Sequence, residues 1–321
     1  MTNRGASLAW RLFNLNWLPI GMMGAVLLAA ISLTNFSVEP VAFGITVAIA
    51  LSLALVAYRH HYAKSDRADP KLMFMVGAVA QVILVTAIVG PLSYVVASFN
   101  WPLQDRVFSA IDYAFGFDSR AVILFVNDHP ALSGALNFGY NMIKWPLLVI
   151  PIVLATTFRF VRLQQFVMSL SVALLITIVI SAFVPAIGNY QTLGLTASDV
   201  PNVNLTPFLL PQHDIPAVRE GLLRHLELFK LAGIVAFPSF HAASAVLFAW
   251  ALSPVRGFGP IALVLNTLMI VSTPVIGAHY LIDVIGGTVL AVASIVFAKW
   301  LSEYEEQRTT TMAPALAGAA E

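Results

Sequence analysis

Long apolar runs separated by short polar loops dominate the chain. Runs at about 17–33, 41–58, 72–97, 138–156, 165–185, 236–252, 259–276 and 280–301 approach or reach the roughly 20 residues a helix needs to cross a hydrocarbon core. The first follows Arg4 and Arg11 and so mimics a signal peptide. It is long, is closed by no convincing small-x-small cleavage site and precedes further spans, so it reads as a helix. Between 100 and 137, Trp101-Pro102, Gly116 and His129-Pro130 interrupt the pattern, which predicts short interfacial or re-entrant helices with Trp101 and Tyr113 at the interface. From 186 to 231 the residues Gly188, Gly194, Pro201, Pro207, Pro211 and Pro216 argue against a long helix before about Ala217. An irregular loop of that length predicts a cover over a site.

Composition agrees with the pattern. The 321 residues are 59% hydrophobic and 10% charged, with a mean hydropathy of +0.84, which excludes a soluble globule and predicts an integral membrane protein. A net charge of +1 without a basic run argues against a nucleic-acid partner. The absence of cysteine removes disulfides, thiol catalysis and thiolate-held metal. Alternating through eight spans places Arg4, Arg11, Arg59, Lys64, Arg67, Lys71, Arg159, Arg162, Arg256 and Arg308 on one side, while the short loop 34–40 has neither Lys nor Arg. The positive-inside rule therefore predicts a cytoplasmic start, and the expected location is a plasma membrane of bacterial type.

Candidate chemistry concentrates between Gly233 and Gly287, where titratable residues sit at the mouths of apolar runs. Phe237-Pro238-Ser239-Phe240-His241 opens one run. Pro238 suits a first helical turn, which would leave the amides of Ser239, Phe240 and His241 free to meet an anion. Gly277-Ala-His279-Tyr-Leu-Ile-Asp283 opens another. A spacing of four puts His279 and Asp283 on one helix face, so the carboxylate can hold one imidazole nitrogen and leave the other to attack. The alternation puts both clusters and the 186–231 loop on the outer side. Two alternatives stay open from the residues alone: a metal site of His241, His279 and Asp283, and a lipid transporter or flippase that uses intramembrane histidines without turnover.

Phe-Pro-Ser-Phe-His-Ala-Ala-Ser-Ala at 237–245 and Gly-Ala-His-Tyr-Leu-Ile-Asp-Val-Ile-Gly-Gly at 277–287 resemble the second and third motifs of the type-2 phosphatidic acid phosphatase superfamily. Phe240 and the Ser-Thr-Pro-Val-Ile-Gly-Ala-His-Tyr run look most like its inositol phosphorylceramide synthase-like branch. The resemblance implies metal-independent catalysis with no cofactor, in which His279 attacks phosphorus, Asp283 orients it, His241 protonates the leaving oxygen and Ser239 helps hold the phosphate. A membrane lipid phosphate ester would be the donor, and water or an alcohol the acceptor. The third motif normally opens Ser-Arg, whereas here Ser272 is followed by Thr273, and no Arg-Pro dipeptide marks a first motif. Ser272 keeps its place as a phosphate-site residue. Arg219, in an Arg-Glu-Gly stretch similar to one in that branch, and Lys144 are the replacement cations.

The expected architecture is thus an all-α polytopic transmembrane helical bundle of about eight spans with a six-helix catalytic core. A two-helix membrane extension occupies 1–71, the catalytic domain 72–301, and a disordered cytoplasmic tail 302–321.

Overall fold

A computed structural model describes residues 3–63 and 69–317. Lys64 and Arg67 of the basic loop, and the last four residues of the expected tail, lie outside them. Helix α1 (Asn3–Leu15) meets α2 (Trp17–Leu33) at Asn16. Two later helices begin with the same device, an acid followed by proline. Glu39 accepts the amides of Val41 and Ala42 at 2.8 and 2.6 Å to cap α3 (Pro40–Tyr62). Asp69 accepts that of Lys71 at 2.9 Å to cap α4 (Pro70–Ala97). Proline at the first helical position has no N–H to leave unpaired, and the carboxylate satisfies the next orphan donors.

The interrupted segment forms three short helices, α5 (Asp105–Ala114), α6 (Ser119–Asn127) and α7 (Pro130–Asn141). After a 56° bend α7 leads into α8 (Lys144–Thr156). Helix α9 (Phe160–Phe183) is the hub of the bundle, with α1, α2, α4, α8, α12 (Phe240–Leu252) and α14 (Leu281–Ala317) packed on it. Between α9 and α12 come α10 (Asn189–Leu193), α11 (Thr206–Arg219) and a 3-10 turn at Leu228–Lys230. Helix α13 (Phe258–Ile276) completes the set. The only strands among the described residues are β1 (Ser37–Val38) and β2 (His225–Leu226), paired in parallel, which tie the α2–α3 loop to the segment before α12.

Six helices among the described residues are long and apolar enough to span a membrane, with α1 and α2 together counting as one. The bent α7–α8 pair makes a seventh, and α12 is a shorter apolar helix. The all-α polytopic bundle is therefore as expected, and Val41, Ile45, Ile49 and Leu55 on the outer face of α3 stay exposed as they would toward lipid.

Two expectations need correction. The 186–231 segment is not irregular up to Ala217, because α11 is helical through three prolines. Pro207 falls in its first turn, and burial of Phe208, Ile215 and Val218 along one face offsets the bonds that Pro211 and Pro216 remove. Nor does the chain fray at Ser302, since α14 continues to Ala317. Glu305 is buried there, 3.6 Å from Arg11 and 3.7 Å from Arg308, so α14 is fastened to α1 just beyond Ser302.

Candidate active site

The mouth of α14 is held by carboxylates. Asp112 of α5 accepts the amides of Leu281 and Ile282 at 2.7 and 3.2 Å, which are the first N–H groups of the helix and have no intrahelical acceptor. Burial pushes the Asp112 carboxyl up from its ordinary range, and those two amides pull it back toward the ionised form. Asp283, in the first turn, reaches back to the amide of Tyr280 at 3.0 Å, the acidic half of a capping box. The same oxygen lies 3.2 Å from Nδ1 of His279. Its other oxygen has no donor among the described residues. His279 therefore precedes α14 and is not stacked on it, and what aligns the two groups is the cap.

A second layer fixes the turn that carries His279. Ala278 has φ = +58°, a left-handed conformation that an L residue adopts only when its surroundings impose it. Asn189 does so from three sides: its amide donates to the Ala278 carbonyl at 2.8 Å, and its side chain donates to the carbonyls of His279 at 2.9 Å and Pro274 at 2.8 Å. Gly188 must approach so closely that an added Cβ would lie 2.5 Å from the Ala278 oxygen. Asp105 holds the amides of Ile187 and Gly188 and accepts the Tyr280 hydroxyl at 3.1 Å.

The mouth of α12 is built differently. Pro238 lies outside the helix, next to the cap Ser239, which corrects its expected place in the first turn. The Ser239 amide donates to the Asp283 carbonyl at 3.0 Å, which leaves the Phe240 and His241 amides at the helix start without a partner among the described residues. This backbone link joins the two mouths. It requires Gly287, where a Cβ would sit 2.1 Å from the Ser239 oxygen, and Gly286, where one would meet the Phe237 ring at 2.9 Å. The His241 ring lies flat on Tyr140, centroids 3.9 Å apart and planes 12° apart.

His241 and His279 line one cavity of about 40 Å³, together with Tyr140, Ile187, Gly277, the irregular segment 233–236, and Pro207 and Pro211 of α11. Helix α11 thus closes over the histidines, as the cover expectation required. Among the described residues no lysine or arginine lines this cavity. Ser239 is fully buried, its oxygen accepting from Ala242 at 3.4 Å as the cap of α12. Ser272 is also fully buried and donates to Met269 of its own helix at 2.7 Å, so its hydroxyl is committed inside α13 instead of facing the cavity. Lys144 is exposed at the α7–α8 bend. Arg219 donates to the Trp101 carbonyl at 2.9 Å; burial lowers its pKa, and nearby Asp105 opposes that shift. The structure brings together His241, His279, Asp283 and Ser239, and places the other three elsewhere. No group of three His, Cys, Asp or Glu side chains among the described residues could hold a metal ion.

Sequence reasoning missed Asp105, Asp112, Tyr140 and Asn189. A signal existed for the two acids: they are seven apart, on one face of α5, in a chain with only 16 acidic residues.

The molecule is thus a helical membrane bundle in which two histidines at two helix mouths, one of them backed by a carboxylate, share one cavity. The chain belongs to the PAP2 superfamily, which it matches over residues 106–297. That membership supports a lipid phosphatase or phosphotransferase kind of function. No curated protein and no solved structure matches the chain.

Proposed function

We propose that the protein takes a phosphoryl or phospho-headgroup from a membrane lipid phosphate ester through a phosphohistidine on His279, at the extracytoplasmic face, in the manner of the inositol phosphorylceramide synthase-like branch. The observation that carries this reading is the 3.2 Å pair between His279 Nδ1 and Asp283, with the ring opening on the cavity that His241 shares. A proton on Nδ1, donated to Asp283, leaves Nε2 as the nucleophile.

In the first step a bond forms between Nε2 and phosphorus as the ester P–O bond breaks, and His241 gives its proton to the leaving oxygen. In the second, the acceptor hydroxyl loses its proton to His241 and attacks phosphorus, which releases His279. The unpaired amides of Phe240 and His241 offer charge-stabilising donors at a helix N-terminus. Arg219, on the covering helix but outside the cavity, is the cation we assign to the phosphate on its approach, since its Nε has no partner among the described residues. Closure of the cavity by Pro207 and Pro211 limits entry of water and supports an alcohol as the acceptor.

The test is turnover of short-chain lipid phosphates by purified protein, with water alone or with an added polyol. Wild type is expected to release the lipid alcohol, to form more transfer product than free phosphate, and to be unaffected by a chelator. A rate unchanged in His279→Ala would overturn the assignment and favour a transporter. Loss of activity on chelation, restored by a divalent ion, would replace it with metal catalysis.

A further inference from the structure

A groove of about 640 Å³ runs between α12 and α13, from Ser253 at their connection to Ala245, one turn from His241. Its walls are apolar except at the connection end, where Ser253 stands, and midway along, where Asn266 and the exposed Thr267 are neighbours. Midway along, Asn266 is 3% exposed and donates through Nδ2 to Ala262 of its own helix at 2.7 Å, while its Oδ1 has no donor among the described residues. In a segment read as membrane-spanning, a buried acceptor without a donor is costly unless something in the groove supplies one. At the connection end, Arg162 of α9 lies 3.5 Å over the ring of Trp250, a groove residue, and donates to the Trp250 carbonyl and to Ser253. Its Nε also has no hydrogen-bond partner among the described residues.

We propose that this groove binds a bilayer lipid with an anionic head and a hydrogen-bond donor a short way below it. Asn266 lies seven residues beyond Gly259, about 10 Å along the helix at 1.5 Å per residue. A phosphate at Arg162 would thus leave the linkage region of the lipid near Oδ1 and the chains along Leu263 toward Ala245. An acceptor selects for an amide N–H or a hydroxyl at that depth, which lipids linked only by esters lack. The head lies at the end of the bundle opposite the histidines, so this site is separate from the reaction centre.

The experiment uses full-length His279→Ala protein, so that turnover does not consume the lipids, and native mass spectrometry after washing in detergent. Ceramide 1-phosphate carries both donors, and phosphatidic acid of equal chain length carries neither. About tenfold greater retention of the ceramide lipid is expected, with Asn266→Leu equalising the two and Arg162→Gln weakening both. An amide-linked probe without the hydroxyl and a hydroxylated probe without the amide identify which donor is read. Equal retention by the parent protein, or a preference untouched by Asn266→Leu in a variant of unchanged melting temperature, would overturn the proposal. So would efficient disulfide pairing of Leu263→Cys in native membranes, since the chain has no other cysteine and such pairing would mean a second copy covers the groove.

Discussion

The two helix mouths that face each other across the cavity are built to opposite specifications. That of α14 is fixed from every side, with Asp112 and Asp283 on its first amides, Asn189 on its turn, and Asp105 reaching it through Tyr280 and Gly188. That of α12 has a serine cap with a long bond, one backbone link to its neighbour, and a histidine resting on an aromatic face. The difference fits the roles proposed for His279 and His241. A nucleophile must hold one orientation and one tautomer, whereas an acid that serves the leaving oxygen and then the acceptor gains from a ring able to shift along its partner.

Breaking the fixed side should have the largest effect. His279→Ala is expected to lower kcat by about 10³-fold or more, measured as lipid alcohol release, because without the nucleophile only positioning remains. His241→Gln should cost about 10²- to 10⁴-fold on a natural alkyl ester. It should cost far less on a 4-nitrophenyl ester, whose leaving group needs no proton; an equal loss on both would show that His241 is not the acid. Gly287→Ala tests the link between the mouths. The Cβ clash with Ser239 should destabilise the bundle by about 1–3 kcal/mol, read by thermal unfolding in detergent. It should also lower kcat more than it raises KM, since the two rings would be pushed apart. The smallest effect is expected at the stack: Tyr140→Phe should be near neutral, and Tyr140→Ala should lose about 0.5–1.5 kcal/mol, seen as a several-fold fall in kcat.

Much of this was legible along the chain because apolar length is itself the signal for a membrane helix. The acid-proline starts at Glu39-Pro40 and Asp69-Pro70 mark helix ends by local chemistry alone. Proline was the weaker guide elsewhere. In α11 its local cost was outweighed by a buried face that only the folded bundle provides. Beside Ser239 it marked the approach to a helix and not its first turn. Arg219, Lys144 and Ser272 were nominated by kind and position, yet Ser272 turns into its own helix and the two cations stand away from the cavity, because side-chain direction depends on which neighbours close around it.

The sequence by itself determined the bundle and its apolar segments and placed both histidines and the acid at segment mouths, since hydrophobic length and order along the chain are local properties. Only the tertiary structure decided that both imidazoles open on one cavity, that α5 and Asn189 clamp the turn bearing His279, and that Gly286 and Gly287 let the two mouths touch. These are contacts between residues as much as 175 positions apart. They arise when apolar faces pack and the remaining buried polar groups must find partners, and no local pattern encodes them.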